Sequence, residues 1–307
     1  MILGKPDWTV SGGIKFRTQL LELNRKHKNY YDTPYNSFAT VYDSLFGLKW
    51  SGGRVPSPAD FISMQDLKAL IMAYNDMGIG FNFSFTNLLL TEKDLDDRYC
   101  NEVLSWLNET KLNGVIVALP LLKDYISKTY KNLKITLSVI VGLNSYEKYN
   151  EMCEDSSLQY VVLHPDYNHD YDFLAKLTHP EKIEVMANDR CVYGCPFRKQ
   201  HYLRLSQNIL NQSNNPIIDS VVDLDCGRDT INNQGNCIAY RFGLNRDERN
   251  LLTFADLDQL IKGGFKCFKL IGREYTWDSY LARDIDPYLG QYWVRSIVKE
   301  VGQGIHI

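Results

Sequence analysis

Short runs rich in apolar and β-branched residues alternate along this chain with stretches whose apolar residues recur at helical spacing. The runs Asn36 to Ser44, Gly78 to Thr86, Asn113 to Pro120, Leu133 to Ile140, Leu158 to Pro165, Lys182 to Asp189, Cys237 to Phe242 and Gly264 to Gly272 read as strands. Between them, residues 60–76 carry Phe61, Leu67, Ile71 and Tyr74, and residues 94–112 carry Leu95, Val103, Leu104 and Leu107. Asn144 to Cys153 and Arg198 to Leu210 also read as helices. Thr253 caps a helix over residues 254–262, and Gly263-Gly264 stops it. Strands alternating with helices predict an α/β fold with a parallel sheet, and eight strands close a (β/α)8 TIM-type barrel. An open, doubly wound sheet is the alternative. The pattern starts at residue 36. Residues 1–35 are therefore expected to form an N-terminal extension, and residues 36–307 a single, possibly irregular, barrel domain.

One strand favours the barrel over the open sheet. In Gly80-Phe81-Asn82-Phe83-Ser84-Phe85-Thr86 small polar residues alternate with phenylalanines. Side chains along a strand point to opposite faces in turn, so Asn82, Ser84 and Thr86 share one face. A barrel turns the phenylalanines toward its helices and the small polar residues inward, with Thr136 and Ser138 repeating the pattern. A sheet covered by helices on both sides would need two apolar faces.

Barrels carry their chemistry at the carboxyl ends of the strands. His164 ends one strand, Asn188, Asp189 and Cys191 follow another, and Lys269 and Arg273 finish the last. Alternation places Lys269 on the inward face, where its ammonium needs a partner, and Asp43 or Asp189 is the expected one. His164, Asp189, Lys269 and Arg273 form the expected substrate pocket. Lys269 and Arg273 are fixed donors suited to an anionic or carbonyl-bearing substrate. For any one of these residues a rim hydrogen bond or a surface charge is the plainer reading.

Seven cysteines, an odd number, argue against a disulfide framework. Cys191 and Cys195 lie four residues apart in a loop between a strand and a helix, well placed to hold a metal. With Cys226 and Cys237 they supply four thiolates for an iron–sulfur (4Fe-4S) cluster. Zinc held by Cys191, Cys195, His201 and a fourth residue is the alternative, and two ordinary reduced thiols the simplest case. A radical-SAM site needs a third cysteine at position 198, which is arginine. Cys191 with His164 or His201 could form a nucleophile–base pair, but no motif marks one. No phosphate-binding loop, dinucleotide fingerprint or serine elbow is present.

Composition narrows the setting. A net charge of −3 gives no general attraction to nucleic acid or to anionic membranes. No run of about 18 apolar residues spans a membrane, and the opening residues do not read as a signal peptide. The expected setting is a reducing cytoplasm.

Residues 256–273 close with Gly-Gly-Phe-Lys-Cys-Phe-Lys269-Leu-Ile-Gly272-Arg273, which resembles the closing signature of the U32 (collagenase-like) peptidase family, with Ile271 in place of the usual acid. Gly114 to Pro120 and Leu133 to Ser138, with the intervening helix, resemble that family's mid-barrel strands. Cys191 and Cys195 match a C-x3-C element of its cysteine set. The resemblance implies a (β/α)8-type barrel, and in several members a four-cysteine iron–sulfur cluster. It implies either oxygen-independent hydroxylation of RNA bases or quinone precursors, or proteolysis. The expected function is thus redox modification of a small molecule or nucleobase. The alternatives are a peptidase acting on a peptide substrate, or a non-catalytic subunit that partners a second barrel.

Overall fold

The computed structural model describes residues 6–31, 35–53, 61–214, 248–272 and 275–290. The strands are β1 (Asp7–Ser11), β2 (Thr40–Asp43), β3 (Gly80–Phe85), β4 (Gly114–Val117), β5 (Lys134–Leu137), β6 (Tyr160–Val162), β7 (Ile183–Met186) and β8 (Cys267–Leu270). They pair in chain order, all parallel, and β8 returns to β1 to close a barrel. The expected TIM-type fold is the observed one.

The outer ring includes α1 (Arg17–Tyr31), α2 (Met64–Asp76), α3 (Arg98–Leu107), α4 (Pro120–Thr129), α5 (Tyr146–Glu154) and the short α6 (Tyr171–Leu174). After β7 come α7 (Arg198–Asn214) and α8 (Phe254–Lys262). After β8 come α9 (Trp277–Tyr280) and a π-helical segment, Leu281–Gly290. Local signals act as their chemistry dictates. Thr253 and Asp256 form a reciprocal cap at the start of α8, with Thr253 N donating to Asp256 Oδ2 at 2.7 Å. Gly264, at φ +94°, makes the left-handed turn into β8.

One expectation needs correction. Residues 1–35 are not an extension: they contain β1 and α1, the first strand–helix unit of the barrel. Strand β1 escapes a periodicity reading because it has only five residues and presents Asp7, Thr9 and Ser11 on one face. Those residues face the barrel interior, so polarity here marks the lumen, not solvent. Helix α1 escapes because its buried positions include the polar Asn24 and His27. The run Cys237 to Phe242 lies outside the described residues, and β1 supplies the strand that completes eight.

Register assigns the faces. Partners opposite one another in a parallel ladder share a face. Thr9 lies opposite Thr40 and Lys269, Tyr42 opposite Asn82, Asn82 opposite Gly114, and Ile116 opposite both Ser84 and Thr136. Phe81, Phe83 and Phe85 point the other way, Phe81 packing on Tyr74 of α2 with ring centres 5.8 Å apart. This is the division expected for Asn82, Ser84 and Thr86.

Inside the barrel, Gly114 leaves room for its neighbours. A Cβ there would stand 2.5 Å from the Lys134 carbonyl oxygen and 2.7 Å from Asn82 Oδ1. Backbone cannot yield as a flexible side chain can, so Gly114→Ala should destabilise the fold by about 1–3 kcal/mol. Urea unfolding followed by circular dichroism measures this; an unchanged midpoint would mean that the barrel shifts freely around the added methyl.

Candidate active site

The carboxyl ends of β6 and β7 hold the densest polar cluster. Chain continuing from β6 stays extended through His164, which starts a 3-10 turn over Pro165–Tyr167. Asp166, two residues on, is the hub. Its Oδ1 accepts from Asn250 Nδ2 at 3.1 Å and Arg198 Nη2 at 3.4 Å. Its Oδ2 accepts from Gly194 N at 3.1 Å and lies 3.5 Å from His164 Nδ1. Arg198 also donates to the Val192 carbonyl at 3.0 Å and reaches within 3.7 Å of Asp189 Oδ2. One guanidinium thus ties the loop after β6 to the loop after β7.

Electrostatics follow from this crowding. Burial and the neighbouring Arg198 charge push the His164 imidazole below its ordinary value, against the opposing pull of Asp166 and Asp189. His164 is therefore neutral at physiological pH. Arg198 is pushed the other way: burial opposes its charge, but Tyr202, Cys191, Asp189 and Asp166 together outweigh that and hold the guanidinium protonated. On the β8 side, Arg190 donates to the fully buried Asp284 at 2.7 Å, and burial raises the Asp284 carboxyl. The Asn188 side chain extends the sheet, donating to the Ile271 carbonyl and accepting from Ile271 N at 2.6 and 2.8 Å.

Helix α7 does not join the outer ring in the usual way. It starts at Arg198, anchored to the rim of β6 and β7. Its Ser206 Oγ accepts from Leu88 N at 3.1 Å, and its Ser206 carbonyl accepts from Asn87 Nδ2 at 3.3 Å. Asn87 and Leu88 follow β3, diametrically opposite β7 in an eight-stranded barrel. Eight residues of helix rise about 12 Å, enough to cross the mouth. Leu205, Ser206 and Ile209 are buried beneath it. The crossover packing into β8 falls instead to α8, through Leu257 and Leu260.

Deeper in the barrel, Lys269 Nζ donates to Glu184 Oε2 at 2.9 Å and lies 4.3 Å from the centre of the Tyr42 ring. Lys269 faces inward as expected. Its partner is Glu184, not Asp43 or Asp189. Asp43 points outward and accepts from Ile14 N and Lys15 N, fixing the loop after β1. Asp189 is committed to Arg198. Glu184 lies opposite Cys267 in the ladder, one inward step below Lys269.

Of the sequence-derived site residues, His164 and Asp189 come together around Arg198, with Cys191 beside it. Lys269 lies in the lumen. Arg273, Cys226 and Cys237 lie outside the described residues. Cys191 and Cys195 sit in the loop between β7 and α7, both unbridged and partly exposed. Among the described residues, no three His, Cys, Asp or Glu side chains are grouped so as to hold a metal ion, so Cys191, Cys195 and His201 do not form a zinc site among themselves. These residues do not on their own make a complete ligand set for zinc or a cluster. Sequence reading missed Asp166, Arg198, Asn250 and Glu184. The signal for Asp166 was its place in the loop after β6; the partners of Arg198 are long-range and leave no local trace.

No family model matches the chain. Over 206 residues it is 24% identical to an uncharacterized protease of Methanocaldococcus jannaschii, a match covering 66% of this chain and 57% of that protein. The chain thus spans just over half the length of that curated relative. Among solved structures, the U32 peptidase Mk0906 superposes with a TM-score of 0.51 at 13% identity, over 88% of this chain and 94% of that one. The chain thus shares its barrel architecture with a U32 peptidase and is distantly similar in sequence to an archaeal protease.

The buried pair gives a test of the interior. Lys269→Met strands the Glu184 carboxylate and should cost about 3–5 kcal/mol. Replacing both residues by methionine should recover most of that loss. Denaturant midpoints of the single and double variants check this; equal losses would show that the pair is not coupled.

Proposed function

We propose that this chain is a hydrolase of peptide bonds acting at the rim of β6 and β7, beneath the start of α7. The observation that carries the reading is the cluster itself: a neutral His164 held beside Asp166, Asp189 and a buried Arg198 in a U32-related barrel. A neutral imidazole near a carboxylate can take a proton from an attacking water and return it to the leaving amine. Arg198 acts here as a positioning residue that fixes both loops. Cys191, beside it, is the competing nucleophile, and Cys191→Ala separates the two: a water mechanism survives that change. Lys269 and Arg273 belong to the substrate pocket in this reading, and the protein works in a reducing cytoplasm.

The test is cleavage of a mixed peptide library followed by mass spectrometry. Wild type should cleave, and His164→Ala should lower kcat/KM by about a hundredfold or more. Because burial keeps His164 neutral to lower pH than an ordinary histidine, kcat/KM should hold down to about pH 6.5 and fall only below it. Absence of cleavage by the wild type across pH and chain length would remove the hydrolase reading.

A second reading rests on the two partly exposed thiols of the β7–α7 loop. Cys191 and Cys195, completed by Cys226 and Cys237, would hold an iron–sulfur cluster for redox modification of a small molecule or nucleobase, or a structural zinc in a barrel that partners another subunit. Iron, sulfide and zinc analysis of protein purified without oxygen decides between them. Roughly four irons per chain would favour the cluster; a metal-free protein that cleaves peptides would exclude it.

A further inference from the structure

The segment that leads into α8 reaches back to the rim through one buried side chain. Asn250 is 1% exposed, and its Nδ2 donates to Asp166 Oδ1 at 3.1 Å, across 84 positions of sequence. Holding the segment in place does not require this bond, because its backbone is already fixed to the barrel at three successive residues. The Asn250 carbonyl accepts from Asn168 Nδ2 at 2.7 Å, the Leu251 carbonyl lies 3.0 Å from His169 Nε2, and Leu252 N donates to the Ala187 carbonyl at 2.9 Å. The Tyr288 hydroxyl donates to the Leu252 carbonyl, also at 2.9 Å.

Asp166 is a residue whose orientation matters. His164 Nδ1 meets two of its groups: the carboxylate Oδ2 at 3.5 Å, and the backbone N–H, which donates to the ring nitrogen at 3.4 Å. The two contacts demand opposite tautomers. Against Oδ2, Nδ1 carries the proton and Nε2 is left as an acceptor. Against the amide, Nδ1 is the acceptor and Nε2 carries the proton. The hydrogen bond made by one ring nitrogen sets the state of the other. Only the first tautomer offers Nε2 as a base.

We propose that Asn250 is a positioning residue for this rim: its amide, together with Arg198, holds Asp166 Oδ1, turns Oδ2 toward His164 and so selects the tautomer with the proton on Nδ1. The proposal rests on the hydrolase reading for why the tautomer matters, and deepens that reading by naming what prepares the base. The two oxygens of a carboxylate turn together about one bond, so a donor that fixes Oδ1 fixes Oδ2 as well. Arg198 Nη2 stands farther from Oδ1, at 3.4 Å, and the same guanidinium also serves the Val192 carbonyl and Asp189. Gly194 N donates to Oδ2 itself and competes there with His164. Asn250 is the nearer donor on Oδ1, and burial shields its bond from water.

Nitrogen-15 NMR of the full chain with labelled histidine reads the tautomer from the Nδ1 and Nε2 shifts, without turnover. It is recorded at about pH 8, well above the ordinary histidine range. His164→Gln identifies the His164 signals among the six histidines. Wild type should carry the proton mainly on Nδ1. Asn250→Ala deletes the donor, leaves every backbone anchor, and should move most of His164 to the form protonated on Nε2. The same variant should lower kcat by about tenfold or more with KM unchanged, as expected when an imidazole is held in the wrong tautomer. Should alanine prevent folding, Asn250→Leu fills a similar volume without a donor and should act in the same way. A purely structural Asn250 would lower the denaturation midpoint and leave the tautomer alone. A wild type protonated on Nε2, a folded donor-free variant with an unchanged tautomer, or failure of both variants to fold overturns the proposal. A tautomer shift in a protein that cleaves no peptide sustains the positioning role and removes the hydrolase reading. Cleavage with no tautomer shift in the variant removes the positioning role alone.

Discussion

Closure of the barrel between its first and last strands is the constraint on which the rest depends. Strands β1 and β8 pair over Asp7 to Val10 against Cys267 to Leu270, joining residues some 260 positions apart. That register puts Thr9 beside Lys269 and, on the other flank of β8, Glu184 beside Cys267. A slip of one residue would turn Lys269 outward into the apolar layer formed by Trp8, Phe268 and Tyr288, where no carboxylate waits. The buried ion pair and the seam thus specify each other. The pair adds little net stability against an apolar replacement, but it penalises the wrong register heavily. The same seam orders the loops above it. Asn188 pairs with the backbone of Ile271 and fixes where β7 hands over to the chain that carries Asp189, Cys191 and Cys195.

A second economy lies in Arg198. As the first residue of α7 it directs the helix over the mouth, and as a donor it binds the loop after β6 to the loop after β7. Both tasks require the guanidinium to stay charged in a mostly buried place, and surrounding acidic groups see to that. The cost appears at His164, whose protonation the same positive charge opposes. A neutral imidazole and a permanent cation side by side are therefore one arrangement, not two.

Much of this was legible in the residues. Alternation in Gly80 to Thr86 separates the barrel interior from the helix-facing layer, because Asn82 and Ser84 turn inward while the phenylalanines pack under the helices. Likewise, Thr253 and Gly264 mark a helix by local chemistry alone, and Lys269 points inward by simple parity. What stayed hidden depends on register or on distant contacts. Strand β1 was obscured because its inward half is Asp7, Thr9 and Ser11, and a polar strand facing a polar lumen looks like loop. Glu184 was passed over as the partner of Lys269 because only strand order brings it there. Arg198 read as the absence of a cysteine, when its weight comes from Asp166, 32 positions earlier.

The site has two halves with opposite electrostatic character. At the rim, carboxylates and a guanidinium surround an imidazole that remains uncharged; in the lumen, an internally neutral pair sits among hydroxyls and amides. The interior pair serves the fold: a one-residue slip of β8 would part Lys269 from Glu184 and leave the carboxylate buried without its cation. The rim is different, because there an uncharged His164 stands beside Asp166 and Asp189 and not opposite a single partner. In the proposed hydrolase reading, the reacting bond lies at that rim, and the interior pair contributes by fixing the strand register that places the rim loops.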